Sequence, residues 1–217
     1  MNYRVGFVDD LENMIEKYSK KLSRDNISLI YAKDCLTFND VFEWILDNTI
    51  EYLLIDYNLS QKYNFSGSQL IHYINNMIPD LPCIIFSSVN NINDDLVQRN
   101  LIKDKNIFEK RMDDLEYRKF IDEIKNGVEV FKKRKEASLE EYNSLLIKKN
   151  KGGFTNSSEE EKFIYLYKIL MSYGMVDKIS PEIIKEALLE VRVPGRSELV
   201  NNKKELTIMI DYAHSPE

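Results

Sequence analysis

Few residues in this chain break the backbone or staple it. Seven glycines and five prolines in 217 residues leave little sequence for long irregular loops, and there is no internal repeat or low-complexity tract. The two cysteines, Cys35 and Cys83, match no metal or redox spacing, which excludes a disulfide framework and reads as buried thiols in a reducing compartment. No stretch reaches the roughly eighteen apolar residues a membrane helix needs, so no membrane partner is expected. A strand begins by Tyr3, which leaves no room for a signal peptide, and a cytoplasmic location is the expectation. Excess positive charge is missing too: the net charge is −6, which gives nonspecific nucleic-acid binding no global support. What is present is a globular composition, 43% hydrophobic and 30% charged, with length enough for one or two domains and a sizeable core.

The organising stretch is Tyr52–Ile55, an unbroken apolar run that ends on Asp56. Such a run reads as a strand buried on both faces, as in a parallel sheet covered by helices, and its last residue falls at the carboxyl edge where open α/β folds place their chemistry. Further strands are expected at Tyr3–Val8 (ending in Asp9 and Asp10), Ile27–Ala32, Cys83–Phe86 (ending in Ser87 and Ser88) and Asn106–Glu109 (ending in Lys110). Between them the apolar spacing predicts helices over Leu11–Leu22, from a Thr37 cap through Leu46, from Gly67 through Met77, and over Asp94–Leu101. Strand and helix alternate five times, which predicts an α/β fold with a five-stranded parallel sheet and right-handed crossovers, closing near residue 130.

In a parallel sheet the strand ends share one edge, so Asp9, Asp10, Asp56, Ser87 and Lys110 are expected to converge. One Asp at a strand end is ordinarily a turn or cap residue; the signal is that several complementary groups fall on four different ends. Three carboxylates in one pocket repel and resist desolvation. A divalent cation relieves this, and hard oxygen ligands with open water positions suit Mg²⁺. A carboxylate can attack phosphorus, with the metal, the lysine ammonium and the serine hydroxyl facing the transferring oxygens.

The residues Val8-Asp9-Asp10, Leu54-Ile55-Asp56-Tyr57-Asn58-Leu59, Gly67, Ile84-Ile85-Phe86-Ser87-Ser88 and Phe108-Glu109-Lys110 resemble the receiver domain of two-component response regulators, over residues 1 to about 130. The resemblance implies a flavodoxin-like sheet of order 2-1-3-4-5, with Asp56 as acceptor of a phosphoryl group from a histidine kinase or phosphotransfer protein. It further implies Asp9, Asp10 and Asp56 at the Mg²⁺, with a backbone carbonyl from Asn58. Ser87 would bond a phosphoryl oxygen and Lys110 would pair with the phosphate. In that family a proline most often follows the lysine and an aromatic residue stands three before it; here these are Arg111 and Ile107, and the loop after Asp56 is longer than usual.

From Leu115 to about Ile147 the pattern is helical, interrupted by the basic run Lys132–Lys135, which reads as a solvated face rather than a nucleic-acid patch because Glu136, Glu140 and Glu141 balance it. Lys151-Gly152-Gly153 breaks the helix, and Thr155–Ser158 caps another that carries Phe163, Leu166, Tyr167 and Leu170. An α-helical hairpin over 131–178 is expected, suited to protein interaction or homodimerisation and too short for a winged-helix DNA reader, so no specific DNA binding is expected. Residues 179–217, with Val193-Pro194-Gly195-Arg196 and Asp211-Tyr212-Ala213-His214, resemble a fragment of the Mur ligase that adds the third residue to the cell-wall peptide. The sequence has no Gly-rich phosphate loop with its Lys and Ser or Thr, so no ligase activity is expected, and the segment reads as a fusion or relic.

The expected function is therefore a phosphoacceptor signalling protein, not a metabolic enzyme, with output through protein contacts. An alternative is a receiver-like interaction module that no longer switches. A phosphatase of the haloacid dehalogenase type would need a second acid two residues after Asp56, where Asn58 stands.

Overall fold

Three buried apolar runs form the centre of a five-stranded parallel sheet with strand order β2-β1-β3-β4-β5. The computed structural model describes residues 2–10, 12–59, 62–88 and 101–176, together with two short strands at 198–200 and 208–210. The strands are β1 (Tyr3–Val8), β2 (Ile27–Tyr31), β3 (Tyr52–Asp56), β4 (Cys83–Ser87) and β5 (Ile102–Asp104). Val8 lies opposite Ile55 and Asp56 opposite Phe86, so the polar residues that follow β1 and close β3 and β4 emerge at one edge. The strand order expected from the receiver resemblance is the one observed.

Helices cover both faces, which is why β3 and β4 are apolar without alternation. On one face α1 (Ile15–Leu22) and α4 (Leu115–Gly152) pack Tyr18, Leu22, Tyr117, Phe120 and Ile124 against Phe7, Leu54 and Phe86. On the other, α2 (Phe38–Asp47) and α3 (Gly67–Met77) pack Val41, Ile45, Leu70 and Ile74 against Val8, Leu53, Ile55 and Ile85. Full burial of each such side chain stabilises the fold by about 1.5–3 kcal/mol. Local sequence fixes the helix starts: Thr37 and Ser66 each accept the backbone N–H three residues on, from Asp40 and Gln69, whose side chains bond back in a capping box.

The fifth strand differs from expectation. It is Ile102–Asp104, and Lys105–Phe108 form a single 3₁₀ turn where a strand was expected over Asn106–Glu109. The Asp104 carboxylate accepts the Asn106 N–H at 2.8 Å, which ends the strand and starts the turn. Ile107 and Phe108 are both buried, but as neighbours on a turn rather than as a two-sided strand.

Helix α4 is continuous through the basic run and past residue 130. It crosses the edge where β3 and β4 begin, opposite the polar edge. There Gly127 lies on Tyr52 and Pro82, and a Cβ would come within 2.6 Å of the Tyr52 ring. Val128 therefore belongs to one face's core and Phe131 to the other's. The run Lys132–Lys135 is solvated only in part: Lys133 and Arg134 are exposed, whereas Lys132 and Lys135 are half-buried. Lys132 pairs with Glu51 at 3.1 Å and Arg134 with Asp80 at 2.6 Å. The Lys135 ammonium lies 5.2 Å from the Phe131 ring centroid and 5.8 Å from that of Tyr173, and burial pushes its pKa down.

Gly153, at φ 89°, caps the C-terminus of α4, and Asn156 caps α5 (Ser157–Ser172) by accepting the Glu159 N–H. The pairs Lys148–Glu159 and Glu141–Lys162, both at 2.5 Å, and the stacked rings of Tyr142 and Phe163 make α4 and α5 an antiparallel hairpin. Its returning end is seated in the first unit's own core: Leu170 and Tyr173 are buried beside Phe131, and the Tyr173 hydroxyl donates to Asp80 at 2.9 Å. Residues 1–176 form one compact unit and 177–217 another. In the second, β6 (Glu198–Val200) and β7 (Ile208–Ile210) pair antiparallel. The helix expected from Asp94, and Arg196, Asp211 and His214, lie outside the described residues.

Candidate functional site

The polar edge carries a compact group of charges. Asp9 follows β1 and is fully buried, Asp10 is half-buried beside it, and Asp56 closes β3 with 7% of its surface exposed. One carboxylate oxygen from each of the three lies within 4.8 Å of the others. Ser87, 6% exposed, closes β4 next door. Asn58 stands two residues past Asp56, at the exposed start of the following loop.

The cation of the site is Lys105, not Lys110. The Lys105 ammonium lies 2.9 Å from Asp9 Oδ2 and 3.0 Å from Asp56 Oδ1. Burial alone would lower its pKa, but its bonds to these two carboxylates outweigh that and hold it above the usual lysine range. Lys110 sits on the loop before α4 and pairs with Glu116. The misplacement follows from the strand shift described above: with β5 ending at Asp104, the first residue past the strand is Lys105. The local signal was the short pair Leu101-Ile102 followed by an Asp that can cap Asn106. Likewise the positions flanking the site lysine are Asn106 and Ile102 rather than Arg111 and Ile107. The Asn106 N–H is used by Asp104, a bond that a proline there could not make.

The turn that presents Lys105 is held from below. Phe108 stacks on Tyr18 with centroids 4.0 Å apart and meets Phe86 at 5.0 Å and Phe120 at 5.7 Å. The Lys21 ammonium bonds the backbone carbonyls of Phe108 and Lys110, and Lys17 pairs with Glu109 at 2.5 Å. On the opposite flank, the loop after Asp56 is closed at its base by the Gly67 N–H donating to the Tyr57 carbonyl at 3.0 Å. Glycine is required at position 67 because any Cβ would collide with the Asp56 carbonyl oxygen.

Electrostatics set the state of Asp56. Burial raises its pKa to about 6; Lys105 opposes the rise, and Asp9 and Asp10 add to it. At neutral pH the carboxylate is ionised but poorly compensated. The donor set fits a small divalent cation: among the described residues, three carboxylates, hard and anionic, share a pocket with one ammonium between two of them. Asp9, Asp10 and Asp56 would hold it, joined by the Asn58 carbonyl if the receiver resemblance extends to that atom.

No protein-family model matches the chain. A UDP-N-acetylmuramoyl-L-alanyl-D-glutamate–2,6-diaminopimelate ligase of Aquifex aeolicus is 45% identical over 47 residues, which is 22% of this chain and only 10% of that ligase. Among solved structures, NtrX of Brucella abortus is 20% identical over 64% of this chain and 29% of its own, with a TM-score of 0.47. A response regulator of Thermotoga maritima is 16% identical over 59% of this chain and 99% of its own, at 0.41. A CheY-like receiver domain of Methanospirillum hungatei is 14% identical over 62% and 99%, at 0.46. The structural neighbours are thus response regulator receiver domains. The strand order, read from the chain itself, gives the first unit a flavodoxin-like doubly wound fold followed by a helical region.

Proposed function

We propose that this chain is a response regulator that accepts a phosphoryl group on Asp56 from a histidine kinase or phosphotransfer protein. The observation that carries the reading is the placement of the Asp56 carboxylate at the carboxyl edge of β3, 3.0 Å from a lysine ammonium and beside Asp9, Asp10 and Ser87. In the transfer an Asp56 carboxylate oxygen forms a bond to phosphorus while the bond from phosphorus to the donor's nitrogen breaks, leaving an acyl phosphate. Lys105 balances charge on the acceptor and on the incoming oxygens, and the Ser87 hydroxyl donates to one of them. Mg²⁺, when bound, neutralises the carboxylates and the phosphoryl oxygens together. The aromatic seat of Lys105 and the capped start of α3 hold these groups in place before the donor arrives.

Output is through protein contacts, self-association included, made by the helical region after the sheet. Among the described residues no helix is long and apolar enough to cross a membrane. No ligase chemistry is proposed: the ligase match spans a tenth of that protein, and this sequence has no Gly-rich phosphate loop with its Lys and Ser or Thr. The test is intact mass after incubation with acetyl phosphate and Mg²⁺. A gain of one phosphoryl group, lost with EDTA, with hydroxylamine and in Asp56→Asn, is the expected result. Labelling that persists in Asp56→Asn would remove Asp56 as acceptor.

A further inference from the structure

We propose that Tyr31 is a positioning residue for the metal carboxylates, acting through the peptide that joins Asp9 to Asp10. The proposal rests on the metal-dependent reading above. The Tyr31 hydroxyl donates to the Asp9 backbone carbonyl at 3.0 Å. That carbonyl belongs to the planar Asp9–Asp10 peptide, so anchoring it restricts both Asp9 ψ and Asp10 φ. Both residues lie past Val8, the last residue of β1, and Asp10 is only half-buried. The hydroxyl supplies a fixed point between the two acids.

Tyr31 is in turn held by the loop that follows Asp56. The Lys62 ammonium lies 3.5 Å from the Tyr31 hydroxyl oxygen and 5.0 Å from the ring centroid. Lys62 also donates to the backbone carbonyls of Ala32, at 3.3 Å, and Lys33. A run of donors thus passes from Lys62 to the Tyr31 hydroxyl to the Asp9 carbonyl, each polarising the next. The arrangement links the end of β1, which carries Asp9 and Asp10, through the end of β2 to the loop after β3, the segment that carries Asn58.

The same loop contains a matched control. The Tyr63 hydroxyl donates to the Ala32 carbonyl at 3.1 Å, and Lys62 lies 5.1 Å from its ring centroid. Tyr63 resembles Tyr31 in chemistry and in its cation, but its hydroxyl anchors no acid residue. Tyr31→Phe and Tyr63→Phe each delete one hydroxyl and keep the ring.

The experiment is Mn²⁺ binding to the full chain, read from the free-ion electron paramagnetic resonance signal, with urea unfolding in EDTA measured on the same samples. Tyr31→Phe is expected to weaken Mn²⁺ binding by about three- to tenfold, the fold-change for the net loss of one hydrogen bond. Tyr63→Phe is expected to stay within about twofold of wild type. A Tyr31→Phe protein that binds Mn²⁺ like wild type overturns the proposal. So does an equal loss in Tyr63→Phe, which would mean the loop, not the acid pair, was disturbed. Wild-type protein that binds no Mn²⁺ at millimolar concentration overturns it together with the metal-dependent reading. Wild-type protein that binds Mn²⁺ but takes up no phosphoryl group breaks only the acceptor assignment.

Discussion

Replacing Asp56 with asparagine should stabilise the metal-free protein, and the structure gives the size of the effect. Burial raises the Asp56 pKa from 3.8 to about 6 despite Lys105, and at 1.36 kcal/mol per pH unit that rise corresponds to about 3 kcal/mol. The sign follows from proton linkage. A carboxyl whose folded-state pKa lies above its unfolded value binds protons more tightly when folded, so stability falls as pH rises from 3.8 through 6 and stays lowered above that. Asparagine is close in shape to the protonated acid and never ionises, so it escapes the cost. Lys105 retains Asp9 at 2.9 Å, so no cation is stranded. Urea unfolding in EDTA should therefore show Asp56→Asn more stable by about 2–3 kcal/mol at pH 7.5, with the difference shrinking through pH 6 and gone near pH 4. Added Mg²⁺ should stabilise wild type more than the variant and narrow the gap. An asparagine variant no more stable than wild type at pH 7.5, or a difference that grows on acidification, would refute the claim that Asp56 is a destabilised carboxylate.

Other substitutions separate the parts of the site and the scaffold. Lys105→Ala should cut acetyl-phosphate labelling by at least about tenfold by leaving Asp9 and Asp56 without their shared cation, whereas Lys110→Ala should leave labelling unchanged; the reverse pattern would restore Lys110 to the site. Gly67→Ala forces a Cβ into the Asp56 carbonyl oxygen, and should cost about 1–3 kcal/mol in urea unfolding and reduce labelling together. Leu170→Ala empties a fully buried position where the hairpin meets the first unit's core, and should cost about 2–5 kcal/mol in one cooperative transition. A separate low-stability transition confined to residues 131–176 would show that the hairpin folds on its own.

The hairpin also bears on how phosphorylation could be read out. Its far end, around Phe154 and Phe163, is joined through a continuous helix to Phe120, which touches Phe86 beside Ser87 and Phe108 beyond Lys105. Its returning end is fastened at Asp80 by Tyr173, and α4 is fastened to the same carboxylate by Arg134. Under the proposed function, a change at Asp56 would meet a helix that is anchored at both ends of the sheet rather than a loosely tethered appendage.

The sequence by itself determined what burial on two faces writes into composition. Tyr52–Asp56 and Cys83–Ser87 are unbroken because helices cover both sides, and an acid or serine at the end of such a run can only sit at the carboxyl edge. The helix start at Thr37, the capping stretch around Asn156 and the stop at Gly153 were legible because caps act over three or four residues. The tertiary structure alone decided the rest. Strand β5 is three residues long, lies at the end of the strand order and is only partly buried, so no apolar run announces it, and the identity of the site lysine went with it. Lys132 and Arg134 have no legible partners until Glu51 and Asp80, far away in sequence, come to meet them. The Tyr31 hydroxyl has no visible task until the parallel pairing of β1 and β2 sets it beside the Asp9 carbonyl. Periodicity and capping are local and leave a local record; an ion pair or hydrogen bond between distant residues exists only once the chain has closed around it.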